Sequence, residues 1–286
     1  MHSKQDHIEI VPLVSFPKSG NTWLRFLLAN VFKKDRSLAV DYSTVNQVMP
    51  TSNTDDLLSA KEFLKDGSPV FVKHHYNFSQ MPYDDFEKAI YIYRNGFDAL
   101  YSYWHFVNAQ NPGLYPDITA FSRCYWRYCG HWGDHIESWQ ARDLHCNVLA
   151  VSYEDLLTDT KGTLGRCCTF LGFDPSDAEL SEAVESSSSQ NMKQMANSST
   201  FMKSKNENFN FVRSAKRGDG EDKLPEWCKE KFISHTANFR QMKDKKYLGI
   251  ETVYSDIEKR DGTALSDKLR SQVYRFSYHA RKALKV

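Results

Sequence analysis

Residues 8–32 read IEIVPLVSFPKSGNTWLRFLLANVF, a β-rich run, a tight turn and a helical pattern in immediate succession. Leu24, Leu27, Leu28 and Val31 recur at spacings of three and four, the period of an α-helix. A strand that hands over to a helix leaves several backbone N–H groups unpaired at the positive end of the helix dipole, which makes an anion site. Lys18 adds a full charge there, and Ser19, Asn21 and Thr22 add side-chain donors. The stretch therefore predicts a phosphate grip. It is not the G-x-x-x-x-G-K-[ST] loop, since it holds one glycine rather than two. A single Lys-Ser-Gly turn is a weak signal, because turns use Gly and Ser for conformational reasons alone. Trp23, directly after the turn, either stacks on a base or joins the core; taken alone, core is the simpler reading.

The rest of the chain extends the alternation. SPVFVKHH (68–75) and KAIYIYR (88–94) read as further strands after the first at 10–16, and NVLAVSYEDL (147–156) as a fourth running into a helix. FDALYSYWHFV (97–107) reads as a helix, 118–142 as an aromatic-rich helix, 186–220 as a long polar loop, and 225–243 as a helix opened by Pro225. Alternating strands and helices imply α/β architecture, a parallel sheet covered on both faces. At 286 residues, with 41% apolar and 14% aromatic residues, the chain is long and apolar enough for a stable core. Net charge is +1, so no global field advertises nucleic acid or a membrane surface, and any basic site is local. Six cysteines show no Cys-x-x-Cys metal spacing and no disulfide framework, which suits a reducing compartment. No run approaches the length of a membrane span and MHSKQDHIEI has no apolar leader core, so a cytoplasmic location is expected.

Three more stretches carry candidate chemistry. In FVKHHYNF, strand alternation predicts that Lys73 and His75 share one face and His74 takes the other. A strand's C-terminal end is where open α/β sheets bind ligands, and a histidine there can act as a general base near neutral pH. In YRNGFDALYSYWHF, Arg94 ends a strand and Ser102 lies two turns into the next helix; together they can bracket a phosphate, or Arg94 can pair with a surface carboxylate. In FNFVRSAKRGDG, Arg213, Lys216 and Arg217 stand in a glycine-containing loop, ordinary by itself, but a second anion element beside the first. A divided arrangement of this kind suits a ligand with two separate phosphates.

The set FPKSGNTW, VKHH, YRNGFDALYSYWHF, YED and FVRSAKRGD, in this order, resembles the cytosolic-type sulfotransferases over about residues 8–240. The resemblance implies a single P-loop-like α/β domain that transfers a sulfuryl group from 3′-phosphoadenosine-5′-phosphosulfate (PAPS) and leaves adenosine 3′,5′-bisphosphate (PAP), without a metal. It implies that Lys18, Ser19, Gly20, Asn21 and Thr22 hold the 5′-phosphosulfate, and that Trp23 and Tyr153 contact the adenine. Arg94, Ser102 and Arg213, with the N–H groups of Ser214 and Ala215, would hold the 3′-phosphate. His75 would be the catalytic base and Lys73 its charge-stabilising neighbour. Lys18 and Ser102 complete the implied catalytic set.

Several positions depart from the family pattern. The usual Arg-Lys-Gly is Arg213-Ser214-Ala215, one cation fewer, with Lys216 or Arg217 available to compensate. Met192 stands where a second adenine-stacking aromatic is usual, and Gly220 where a tryptophan follows Gly-Asp. The family's short dimer motif is not recognisable, so the oligomeric state is left open. The sulfotransferase domain is expected to span 1–248, with 249–286 a basic, helical extension packed on it. The acceptor is expected to be a small molecule such as a natural product, bearing a hydroxyl or amine, with Tyr76, Phe78, Tyr103, Trp104, Phe106 and Trp132 as pocket candidates. Asp84, Asp85, Asp134 and Glu137 leave room for a cationic acceptor. An atypical nucleotide-dependent kinase and a carbohydrate sulfotransferase are the alternatives.

Overall fold

The computed structural model describes residues 9–51, 54–82, 85–124, 130–140, 144–198 and 217–236. Its core is a four-stranded sheet of β1 (Ile10–Val14), β2 (Val70–His74), β3 (Lys88–Tyr93) and β4 (Asn147–Ser152), in the order β2-β1-β3-β4. All three pairings are parallel, with Val14 beside His74 and Tyr91, and Tyr93 beside Ser152. The four C-terminal ends therefore share one rim, and three of them are followed at once by a residue singled out in the sequence. Ser15 follows β1, His75 follows β2, Arg94 follows β3 and Tyr153 follows β4. The chain runs from β1 out to β2, then crosses back to β3 on the other side of β1. That reversal is where open α/β sheets form a ligand crevice.

Between β1 and β2 lie α1 (Asn21–Phe32), α2 (Val45–Val48) and α3 (Thr54–Phe63). A single 3₁₀ turn, Phe78–Gln80, precedes β3, and α4 (Gly96–Gln110), α5 (Ile118–Cys124) and α6 (Trp132–Gln140) lead to β4. After it come α7 (Tyr153–Thr158), α8 (Thr160–Leu171), α9 (Asp177–Ser186), α10 (Ser189–Ser198), α11 (Asp219–Lys223) and α12 (Glu226–Thr236). One side of the sheet packs Val11, Leu13, Ile90 and Ile92 against α1, α8 and α9; the other packs Val14, Ala89, Tyr91 and Tyr93 against α4, α6 and α12. This period-two division of β1 and β3 is what a strand buried between two layers requires. Leu24, Leu27, Leu28 and Val31 of α1 are all buried, as their spacing predicts, and full burial of such a side chain is worth roughly 1.5–3 kcal/mol.

Three expectations change. The helical region 118–142 is two helices, α5 and α6, with Gly130 turning left-handed (φ 71°) just before α6. The polar stretch 186–220 is not one long loop, because α10 lies within it and α11 begins at its end. Met192 of α10 is buried, and Met195 and Ala196 pack on the same cluster; so thin an apolar stripe in Ser- and Asn-rich text hides the helix. The helix after Pro225 is α12, and residues 237–286, which contain the expected basic extension, lie outside the described residues.

Candidate active site

The β1–α1 turn has the backbone of an anion cradle. Lys18 is left-handed (φ 67°), uncommon for any residue but glycine, and Gly20 follows at φ 97°. Turns of this kind bring successive N–H groups round to one side. The first helical bond of α1 runs from the Leu24 N–H to the Gly20 carbonyl (3.1 Å), so the N–H groups of Asn21, Thr22 and Trp23 have no acceptor within the helix. Ser19 is buried, and its Oγ has no hydrogen-bond partner among the described residues. A buried hydroxyl left unpaired beside converging amides fits an oxyanion. Gly20 is also sterically obligatory, since a Cβ there would stand 2.5 Å from Cδ2 of Tyr153. Asn21 turns its buried side-chain amide to the Leu13 carbonyl (3.0 Å), which ties the turn to β1. Thr22 is half-buried. Trp23 is half-buried too, with its indole N–H on the Ser187 carbonyl (3.0 Å) and its ring edge-on to Tyr153 at 6.0 Å.

Across the β1–β2 pair stands His75. Strand β2 ends at His74, so local contacts rather than strand alternation fix this ring. Its Nδ1–H donates to the Ser15 carbonyl at 2.7 Å, and the Ser15 hydroxyl lies 3.2 Å from the same nitrogen. A carbonyl only accepts, so in the neutral ring the proton sits on Nδ1 and the lone pair on Nε2. Burial first, then the charge of Lys73, pushes the His75 pKa well below 6.5; His135 and Lys18 push the same way, against the Ser15 carbonyl. Lys73 is itself lowered to about 8 by burial and by Arg25. Arg25, unremarked in the sequence, is a buried α1 side chain that donates to the carbonyls of Val45 and Met49 and to Asn46 Oδ1. It thus fixes the segment whose Pro50 carbonyl receives the Lys73 N–H at 3.0 Å. His74 is buried, its pKa pushed down to about 4 by burial and by Lys73.

At the end of β3, the buried Arg94 lays its guanidinium over the Tyr153 ring (4.5 Å to the centroid). Its Nη1 donates to the Lys18 carbonyl at 3.4 Å and its Nη2 lies 3.7 Å from Asp98. The β1–α1 turn, Arg94 and Tyr153 therefore form one contiguous patch. Ser102 is half-buried on α4. Arg217 does not stand in for the missing cation of the fourth stretch, because its guanidinium is turned onto α7, donating to the Glu154 carbonyl and the Thr158 hydroxyl. Arg213, Ser214 and Ala215 lie outside the described residues. Met192 is buried in the cluster beneath α1.

The acceptor candidates separate. Trp132 is corrected to core: it is fully buried, and its indole N–H holds the Arg94 carbonyl at 3.1 Å. Tyr103 is buried edge-on to Phe16 and Phe121. Phe78 packs edge-on to Trp139 at 5.1 Å. Tyr76, Trp104 and Phe106 stay half-buried, and the Lys18 ammonium sits 4.6 Å above the Phe106 ring. Asp85, Asp134 and Glu137 are solvent-exposed, Asp84 lies outside the described residues, and the charges that act on His75 and Lys73 are cationic. Ser15, Arg25, Asp98 and His135 went unremarked in the sequence. None of these carried a local sign: Ser15 fell inside the strand expected at 10–16, and the structure ends β1 one residue before it. Among the described residues, no group of three His, Cys, Asp or Glu is placed to hold a metal ion, and no helix is long and apolar enough to cross a membrane.

Comparison with known proteins agrees with this geometry. The family profile described as "Sulfotransferase domain" matches residues 9–246. Sulfotransferase 1E1 of Mus musculus is 27% identical over 248 residues, 81% of this chain and 83% of the relative. Sulfotransferase 2A1 of Rattus norvegicus is 30% identical over 201 residues, 67% and 70% of the two chains. Among solved structures, mouse sulfotransferase SULT7A1 complexed with PAP superposes with a TM-score of 0.62 at 22% identity, over 84% of this chain and 89% of that one.

Proposed function

The chain belongs to the sulfotransferase domain family, and from that premise we propose that it moves a sulfuryl group from PAPS to a hydroxyl or amine of a small-molecule acceptor, in the cytoplasm. The observation that carries this reading is the shared rim. Parallel pairing brings His75, Arg94 and Tyr153, each immediately after a strand, to one edge of the sheet, together with the turn through Lys18–Gly20 that leads from β1 into α1. The donor set fits a nucleotide with phosphates at both ends: left-handed turns, the unpartnered Ser19 hydroxyl and Lys18 at one end, and Arg94 at the other.

PAPS, when bound, supplies an activated sulfuryl group and a leaving phosphate that gains negative charge. Lys18 and the first N–H groups of α1 stabilise that charge without rearranging, and preorganised electrostatics of this kind is usually the largest catalytic contribution. His75 holds its Nδ1 proton on Ser15 and offers Nε2 to the acceptor's proton. General-base assistance of this type is typically worth about 10²–10⁴-fold. The cations that depress the His75 pKa are offset when an anionic donor lies beside them, which returns the imidazole toward useful basicity. Lys73 holds positive charge next to the base. Phe106 and Tyr76 are the aromatic surfaces that remain partly open beside Lys18 and His75.

Thermal shift with PAP against ATP–Mg²⁺, followed by transfer from labelled PAPS to a panel of phenols, alcohols, amines and sugars, tests the reading. PAP is expected to raise the melting temperature by several degrees, since a ligand at about a hundred times its Kd adds about 2.7 kcal/mol. A shift with ATP–Mg²⁺ and none with PAP would overturn it in favour of a kinase.

A further inference from the structure

We infer that Asp98 is a positioning residue for recognition of the nucleotide's 3′-phosphate, through a closed polar ring that orients Arg94; this rests on the reading of Arg94 as the 3′-phosphate grip. Asp98 lies in the first turn of α4 and is 2% exposed. Its Oδ2 accepts the Gly218 N–H at 2.9 Å and lies 3.7 Å from Arg94 Nη2. Its Oδ1 accepts the Gly220 N–H at 2.6 Å. One buried carboxylate thus joins the end of β3 to a turn 120 residues further along the chain. An unpaired carboxylate could not be buried so deeply, and here the three donors supply what desolvation removes.

The ring closes on its other side. Asn95 caps α4 with its Oδ1 on the Phe97 N–H (2.9 Å), and its own N–H donates to the Glu154 carboxylate at 3.1 Å. Arg217 donates to the Glu154 carbonyl and the Thr158 hydroxyl, and Gly218, the next residue, returns to Asp98. Gly220 lies flush on α4, where a Cβ would stand 2.2 Å from the Phe97 carbonyl carbon. Gly218 takes a left-handed φ of 82°. Both glycines are therefore required to bring their N–H groups onto the carboxylate. The guanidinium of Arg94 lies between this ring and Tyr153, with Nη2 toward Asp98 and Nη1 toward Lys18. A carboxylate in this place keeps the fork aimed before ligand arrives, so less ordering accompanies binding.

Titration calorimetry with PAP and with adenosine 5′-monophosphate, on wild type, Asp98→Asn and Gly220→Ala, tests this. The two nucleotides differ only in the 3′-phosphate. Wild type is expected to prefer PAP by at least tenfold, the range for hydrogen bonds to charged groups. Asp98→Asn, the same size but with a donor where an acceptor is needed, is expected to cut that preference about tenfold while 5′-monophosphate affinity stays within about threefold. Gly220→Ala, which leaves the carboxylate and Arg94 untouched, is expected to do the same by displacing the turn. It decides the matter if Asp98→Asn does not fold. A variant that melts earlier yet keeps the wild-type preference would reduce Asp98 to a stabilising contact and overturn the inference. Equal binding of the two nucleotides by wild type would instead overturn the Arg94 reading beneath it.

Discussion

His75 owes its chemistry to a single acceptor. The Ser15 carbonyl at 2.7 Å fixes the tautomer, and burial beside Lys73 keeps the ring neutral at pH 7. Two expectations follow at this scale. His75→Ala is expected to lower kcat by at least about a hundredfold while PAP affinity stays within a few-fold, because the ring is assigned to the acceptor's proton and not to the nucleotide. His74→Ala is expected to keep most turnover, and steady-state kinetics on the pair would expose a swapped assignment at once. The acid limb of kcat/KM, which reports the free enzyme, is expected below pH 6.5, because burial and the neighbouring Lys73, His135 and Lys18 disfavour the imidazolium. An acid limb at 7 or above would remove His75 from the role.

On the proposed reading the β1–α1 turn is the element on which nucleotide binding depends, and Gly20 is its tightest point. Gly20→Ala adds a Cβ 2.5 Å from the Tyr153 ring in a left-handed backbone (φ 97°). The left-handed conformation alone costs a non-glycine residue about 1–2 kcal/mol. Melting curves with and without PAP are expected to show a modest loss of stability but a near-complete loss of the ligand-induced shift. An undiminished shift would mean that the turn does not carry the phosphate. Lys18, His75 and Arg94 could be read in the sequence because each lies at or shortly beyond the C-terminal end of a β-rich run, and parallel topology brings those ends together, whereas Tyr153 is implied by the family resemblance alone. Trp132 misled because its indole N–H is visible in the sequence while its partner, the Arg94 carbonyl, is not. Asp98 was invisible for a related reason: its meaning lies in two glycine amides more than a hundred residues away.

Across the whole molecule, buried histidines set a pH limit. His135 is fully buried against Tyr91, whose hydroxyl lies 2.9 Å from its Nδ1, and its pKa falls to about 3 through burial, against a smaller opposing pull from the His75 and Tyr76 backbone. His74 falls to about 4. For such groups the unfolded chain binds the proton more tightly, so the stability they confer is complete above pH 6.5 and drains as pH falls toward 4 and 3. Each contributes a slope of about 1.4 kcal/mol per pH unit across that window. Melting temperature is expected to decline from pH 7 to pH 5, and His135→Gln is expected to flatten the decline. An unchanged slope in that variant would show that His135 accepts a proton while folded.

The strand order β2-β1-β3-β4 has one further consequence, and it concerns biosynthesis. A nascent polypeptide halted before Asn147 already carries Lys18, His75 and Arg94, yet it lacks the outer strand and the tyrosine that begins α7. On the function proposed above, nothing emerging from the ribosome before that point possesses a complete adenine face, and donor capture is a late acquisition of the growing chain, reached only when more than half of it has been translated.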